Sequence, residues 1–328
     1  MTASKRILSG MRPTGRLHLG NLHGALGNWI EMQDRYDCFF FIADWHALTT
    51  GYEETGSIRD NAREVMIDWL AAGLSPERNT LFVQSHIKEH AELFLLLSMI
   101  TPVPWLERNP TYKDQMAQLS GKDLSTFGFL GYPVLQAADI IIYKADGVPV
   151  GVDQVPHVEI TREIARRFNH LYGRVFPEPD AILAKTSKVL GWDRRKMSKS
   201  YDNAIYLSDD PEVAMEKVSR FITDPDRKRR ADSGNPDICN VFDYHRLYSS
   251  PALVHEIGTQ CRAAGIGCVE CKRKMGENLL AFLAPIRERR IHFEGNPDRV
   301  AEIAAAGGDK ARGIARHTLE EVRAAIRI

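Results

Sequence analysis

Lys5-Arg6-Ile7-Leu8-Ser9-Gly10-Met11-Arg12-Pro13-Thr14-Gly15-Arg16-Leu17-His18-Leu19-Gly20-Asn21 is the stretch whose reading decides the fold class. The apolar run Lys5–Ser9 ends at Gly10 and predicts a first strand. A loop with Gly10, Gly15 and Gly20 follows. From Asn21 to about Tyr36, the residues Leu22, Ala25, Leu26, Trp29, Ile30 and Met32 recur at helical spacing. Glycines let backbone approach a ligand closely. A helix N-terminus adds free N–H groups and a positive dipole end, which suit phosphate. By itself the loop reads better as a glycine-rich turn with a surface histidine.

Working outward, Cys38–Ala43 is a continuous apolar run, as for a strand buried on both faces of a parallel sheet. Ile58–Ala72 predicts a helix closed by Gly73, Thr80–Gln84 a strand and Ala91–Ile100 a helix stopped by Thr101-Pro102-Val103-Pro104. Tyr132–Tyr143 predicts a helix with Pro133 in its first turn, Gly147–Gly151 a strand and Gln154–Gly173 a helix. Strands alternating with helices imply a parallel sheet with crossover helices. After Tyr201 the pattern turns helical: Pro211–Phe221, Phe242–Tyr248, Ala252–Ala264, Val269–Arg290, Pro297–Ala306 and Asp309–Ile326. The expected architecture is α/β, a Rossmann-like parallel-sheet domain over residues 1–205 and an all-helical domain over 206–328.

The 328 residues carry 43 basic and 43 acidic side chains, so the formal charge is zero. That excludes a chain that is basic all over. Residues 1–150 are net −4 and the remainder net +4, so the zero is the sum of two unlike halves. Such asymmetry points to a polyanion partner for the second half. No signal-peptide apolar region follows the N-terminus, and no apolar run approaches the ~20 residues of a membrane helix. A cytoplasmic protein without membrane contact is expected, and its cysteines are then free, metal-bound or catalytic.

Two more segments carry chemistry. Lys196-Met197-Ser198-Lys199-Ser200 follows Arg194 and Arg195. Its two lysines can clamp a triphosphate and offset charge on a leaving pyrophosphate; the bland alternative is a solvated basic loop. Gly151-Val152-Asp153-Gln154 follows a strand end, where ligands of open α/β sheets bind. A carboxylate there suits ribose hydroxyls, although Asp153 alone would be an N-cap.

His18-Leu19-Gly20-Asn21 and Lys196–Ser200 together resemble the paired HIGH and KMSKS signatures of class I aminoacyl-tRNA synthetases. Order and separation match the compact tryptophan and tyrosine members. The resemblance is closest to the bacterial tryptophan-specific group, over Ser9–Gly24, Ala43–Thr50, Tyr132–Tyr143, Val148–Arg162 and Arg195–Ser200. It implies ATP with Mg²⁺, L-tryptophan and tRNA(Trp) as ligands, and a homodimer. Catalysis would fall to His18, Asn21, Lys196 and Lys199. ATP would contact Arg12, Pro13, Thr14, Gly20, Asn21, Gly151, Val152, Asp153, Val189, Lys196, Met197, Ser198, Lys199 and Ser200, with Lys113 a further triphosphate lysine. Tryptophan would contact Asp139, Tyr132, Gln154, His46 and Gln136. The physics agrees at Asp139, because an indole N–H is a donor only and needs a buried acceptor. Two departures stand out: Val152 replaces a common glutamate, and Arg12 replaces a common glutamine.

Cys239, Cys261, Cys268 and Cys271 read C-x21-C-x6-C-x2-C, four of five cysteines in 33 residues. This spacing suggests a Cys₄ zinc site or a 4Fe–4S cluster. It resembles a cluster-bearing subgroup of the same enzymes, whose first gap is about one residue longer. Cys38 lies in an apolar strand and belongs to the core. Arg227-Lys228-Arg229-Arg230 and Lys272-Arg273-Lys274 are candidates for RNA phosphate contact. Other readings are a tyrosine-specific synthetase, a HIGH-type nucleotidyltransferase and an Fe–S redox-sensing RNA-binding adaptor. The last would leave Asp139 and Gln154 without a role.

Overall fold

The structure, a computed structural model, describes residues 4–110, 112–113, 124–183 and 189–328. Five parallel strands form one sheet in the order β3-β2-β1-β4-β5: β1 Arg6–Met11, β2 Asp37–Ile42, β3 Asn79–Val83, β4 Gly147–Val150 and β5 Asp180–Leu183. The register places Ile7 opposite Cys38, Cys38 opposite Asn79, and Gly147 opposite Asp180. Strand order reverses between β1 and β4, which opens a crevice at their carboxyl ends. Apolar side chains of the strands (Leu8, Phe39, Phe41, Phe82) and of the helix Phe127–Ile141 (Val134, Ala137, Ala138, Ile141) share one core.

Three expectations change. First, the helix expected from Tyr132 starts at Phe127, where the Thr126 hydroxyl accepts the Phe129 N–H at 3.2 Å. Pro133 is therefore interior, and burial of ten residues of this helix offsets a break of about 3 kcal/mol. Second, β5 had no sequence signal, because Asp180–Leu183 is a half-exposed edge strand. Third, Pro297–Ala306 and Asp309–Ile326 form one helix, Pro297–Ile326. The Gly307-Gly308 pair does not break it. A Cβ on Gly307 would lie 1.9 Å from the Leu81 carbonyl oxygen, so glycine is what lets this helix lie directly on β3.

The chain divides into two compact units: Met1–Gly15, Gly27–Thr186 and Gly295–Ile328 form the first, and Arg16–Leu26 with Ser187–Glu294 the second. A single cut at 205 does not describe this division. The last helix belongs to the sheet-bearing unit, where Ala311, Ala315, Leu319 and Val322 enter the core. The second unit holds the helices Pro211–Ser219, Asn240–Tyr248, Pro251–Arg262 and Cys268–Glu294. No helix of the described residues is long and apolar enough to cross a membrane.

Candidate active site

In the first unit a cavity of about 260 Å³ opens at the carboxyl ends of β1 and β2, between Gly10, Phe41 and Ala43. Its polar lining includes Arg12, His46, Tyr132, Gln136, Asp139 and Gln154. All five residues expected around an amino acid thus share one cavity. Tyr132, Gln136 and Asp139 come from one helix at spacings of four and three, which sets them on one face.

Asp139 is fully buried. Its Oδ1 accepts from His90 Nδ1 at 2.5 Å and Gln84 Nε2 at 2.9 Å; its Oδ2 accepts from His46 Nε2 and Gln84 Nε2, both at 2.8 Å. Burial alone would raise its carboxyl pKa, but the facing His90 and His46 outweigh it and hold the group below its ordinary value. A buried acceptor that stays ionised is what a donor-only heterocycle requires.

A second chain of contacts orients the residues expected at the amino group. Tyr132 Oη and His157 Nε2 are 2.8 Å apart, and His157 Nδ1 is 2.8 Å from Gln154 Oε1. Gln154 Nε2 donates to Asp153 Oδ2 at 2.9 Å, so its Oε1 is the acceptor end. His157 Nδ1 therefore donates and Nε2 accepts the Tyr132 proton. Burial lowers the His157 pKa to about 4, with His46 adding to and Asp153 opposing the shift, which keeps the ring neutral. The lone pairs left on the Tyr132 and Gln154 oxygens suit an ammonium group.

The second unit assembles His18, Gly20, Asn21 and the Lys196–Ser200 loop. Residues 17–19 run antiparallel to 205–207: Leu19 N–H donates to the Ile205 oxygen at 3.0 Å and Leu207 N–H to the Leu17 oxygen at 2.9 Å. This seam joins two motifs far apart in sequence. The Asn21 carboxamide oxygen accepts the His18 N–H at 3.0 Å, which fixes the turn. His18 is buried and its Nδ1 has no partner among the described residues. Its pKa is pushed down to about 4, by burial first and then by the charges of Lys199 and Lys196. The ring is thus neutral near pH 7, with an unsatisfied nitrogen that a bound anion would change.

The loop is built on a tight turn. Met197 N–H donates to Val189, Gly191 N–H to Arg195, and Arg194 takes φ 66°. Asn203, fully buried, accepts the Ser198 N–H at 2.8 Å and donates to Asp193 at 2.7 Å. A Cβ on Gly191 would lie 2.3 Å from Asn203 Cγ, so glycine admits this brace. From the helix Asn240–Tyr248, Asn240 donates to the Gly191 oxygen and Tyr244 to the Leu190 oxygen. Met197 and Val189 are buried while Lys196 and Ser200 face outward. Asn203→Ala is expected to lower kcat roughly 10- to 100-fold through misplacement of the loop, with KM for the ligand of the Asp139 cavity near wild type, both read from steady-state kinetics.

Sequence reasoning missed Gln84, His90, His157 and Asn203. They share no sequence signal: Gln84 follows the apolar run Leu81-Phe82-Val83, His90 sits between Glu89 and Ala91 and Asn203 between Asp202 and Ala204, and nothing local names the partner of any of them. Arg12, Pro13, Thr14, Gly151, Val152 and Asp153 fall in the first unit, where Val152 and Asp153 are exposed. Lys113 is exposed. Of the basic run 227–230, Arg227 turns inward: it donates to the Arg230 and Ile266 carbonyls and lies 4.0 Å from Cys261 Sγ. The four clustered cysteines all fall in the second unit, yet among the described residues no group of three or more His, Cys, Asp or Glu side chains is placed to hold a metal ion.

The described geometry can be set beside known proteins. The family "tRNA synthetases class I (W and Y)" matches residues 2–284. The chain is 52% identical to a tryptophan–tRNA ligase of Thermotoga maritima, over 98% of this chain and 99% of the relative. It is 47% identical to one of Aquifex aeolicus, over 98% of this chain and 100% of the relative. A solved tryptophanyl-tRNA synthetase of Campylobacter jejuni, complexed with ADP and tryptophan, is 32% identical with a TM-score of 0.92, covering 98% of this chain and 100% of that one.

Proposed function

The chain belongs to the class I aminoacyl-tRNA synthetases for tryptophan and tyrosine, and we propose that its Asp139 cavity binds the indole of L-tryptophan while His18, Lys196 and Lys199 handle ATP. Its activity is tryptophan–tRNA ligation. L-Tryptophan and ATP give tryptophanyl-adenylate and pyrophosphate; the adenylate then acylates the 3′-terminal ribose of tRNA(Trp) and releases AMP. The observation that carries the substrate reading is the ionised, fully buried Asp139 at the wall of a cavity sized for one amino acid.

In the first step a tryptophan carboxylate oxygen attacks the α-phosphorus, and the bond to the bridging oxygen of pyrophosphate breaks. The nucleophile is already ionised, so no protein base is needed. Positioning and charge stabilisation dominate. Tyr132 and Gln154 hold the ammonium group, with His157 turning their oxygens toward it. Lys196 and Lys199 offset the charge that grows on the departing pyrophosphate. His18 donates to a phosphate oxygen. Mg²⁺, when bound with the nucleotide, would neutralise phosphate charge. Pyrophosphate exchange is expected with tryptophan and not with tyrosine; equal exchange with both would overturn the substrate assignment.

We assign catalysis to residues 1–205 and anticodon binding to the helical residues from 206, apart from the helix Pro297–Ile326 that packs on the sheet. The net +4 of the second half supports an RNA partner there. A cytoplasmic homodimer is the reading that the family supports.

The cysteines support a 4Fe–4S cluster. Cys239 precedes the helix Asn240–Tyr248, Cys261 lies in the last turn of Pro251–Arg262, and Cys268 and Cys271 open Cys268–Glu294. Helix N-termini favour thiolates. Burial raises the Cys271 thiol to about 12, with Cys239, Cys261 and Cys268 adding to the rise. A single zinc ion, with Zn–S bonds of about 2.3 Å, needs four sulfurs within about 3.8 Å of one another. A cluster holds them farther apart, because each thiolate binds its own iron. Among the described residues no group of three or more His, Cys, Asp or Glu side chains is placed to hold a metal ion, so the support for this reading is the sequence spacing of the four cysteines. When bound, the cluster would brace the helix starts around Arg227. Anaerobically purified protein should be brown and carry about four iron and four sulfide per chain; zinc without iron would refute this.

A further inference from the structure

Asp139 carries more partners than a substrate contact requires. Of the three side chains that donate to it, only His46 lines the cavity; Gln84 and His90 reach the carboxylate from behind. His90 is fully buried, with its ring among those of Phe41, Phe82 and Tyr143 at centroid distances of 6.2, 6.4 and 5.3 Å. Its Nε2 is 2.6 Å from the Tyr143 hydroxyl. Tyr143 is itself locked: its ring stacks on Phe39, and its carbonyl accepts from Arg6 at 2.7 Å. The four residues form a chain, Tyr143–His90–Asp139–His46, running from the core to the cavity wall.

We propose that His90 is a positioning residue for tryptophan specificity: anchored by Tyr143, it holds the Asp139 carboxylate so that Oδ2, the oxygen His46 contacts from the cavity wall, is presented to the indole N–H. This rests on the reading that Asp139 accepts from the indole. The hydrogen-bond roles follow from the ends of the chain. An ionised carboxylate only accepts, so His90 Nδ1 donates to it. Burial, with Asp139 adding, drives the Tyr143 pKa well above its ordinary value, so its hydroxyl keeps its proton at the other end. A carboxylate offers about four acceptor positions. His90 and Gln84 make three of the four contacts, from the buried side; His46 makes the fourth, on Oδ2, and because His46 lines the cavity this is the position where an indole N–H would enter. Without His90, Oδ1 loses its contact to the anchored ring and only Gln84 and His46 hold the carboxylate, so its aim at the ligand is loosened.

The test compares tryptophan with its analogue in which sulfur replaces the ring N–H. Binding of each by calorimetry and amino-acid-dependent pyrophosphate exchange are measured for His90→Leu, His90→Asn, Tyr143→Phe and Asp139→Asn. His90→Leu is expected to weaken tryptophan binding roughly 10- to 100-fold, the loss of one bond to a charged group, and to leave the sulfur analogue within about twofold. His90→Asn, whose amide N–H replaces Nδ1–H, should restore most of the selectivity. Tyr143→Phe should show the same selective loss at smaller size, and it carries the test if His90→Leu does not fold. An equal loss for both ligands, or none for either, would overturn the proposal and leave His90 a core residue. Selectivity that survives Asp139→Asn would refute the underlying reading. Selectivity lost there but intact in both His90→Leu and Tyr143→Phe would refute this inference alone.

Discussion

Lys199→Ala is expected to slow tryptophan-dependent pyrophosphate exchange by roughly 100- to 1000-fold, the range for removing one group that stabilises transition-state charge. Tryptophan affinity should change less than about twofold. The asymmetry follows from where the residues lie. The Asp139 cavity is lined by residues of the first unit, whereas Lys199 belongs to the second and neighbours His18. Its charge matters most when negative charge gathers on the departing pyrophosphate, so the loss should appear in kcat more than in KM. Removing it also lifts one of the two positive charges that hold His18 below its ordinary pKa. The variant's His18 should therefore titrate higher, which NMR of the imidazole can follow. Exchange at wild-type rate in Lys199→Ala would overturn the assignment of the loop.

Asp139→Asn is expected to cut kcat/KM for tryptophan roughly 100- to 1000-fold, since a site that hydrogen-bonds a polar atom loses discrimination when that bond cannot form. The damage exceeds one contact. Four hydrogen bonds end on the two carboxylate oxygens, from His46, Gln84 and His90. A carboxamide has one acceptor oxygen, and its NH₂ would face donors. At least one buried donor is then orphaned, at a cost of about 1–3 kcal/mol. Urea unfolding should shift accordingly. Unchanged tryptophan kinetics with reduced stability would make Asp139 a structural residue only.

Much of the site was legible because its signals are local. The strand–glycine loop–helix order, the His18 and Lys199 motifs and the spacing of Tyr132, Gln136 and Asp139 all follow from residues within a few turns of one another. The partners were not legible. His90 lies 49 positions from Asp139 and Gln84 lies 55, and neither pair has a local pattern. Asn203 reads as one residue of a polar loop, although its carboxamide holds the loop's shape.

The sequence by itself determined that this chain forms a parallel α/β sheet followed by helices, and that it carries the His18–Asn21 and Lys196–Ser200 motifs and four clustered cysteines. Periodicity and short motifs suffice for those, because they depend on backbone geometry and on neighbours along the chain. Tertiary structure decided the rest. It buried Asp139 against three donors and so set its ionisation. It stitched residues 17–19 to 205–207, which put His18 beside the Lys196–Ser200 loop. It returned the helix Pro297–Ile326 to the sheet through Gly307, a residue that in isolation signals a break. Burial and electrostatic environment depend on what crosses the chain from far away, and only the packed molecule supplies that.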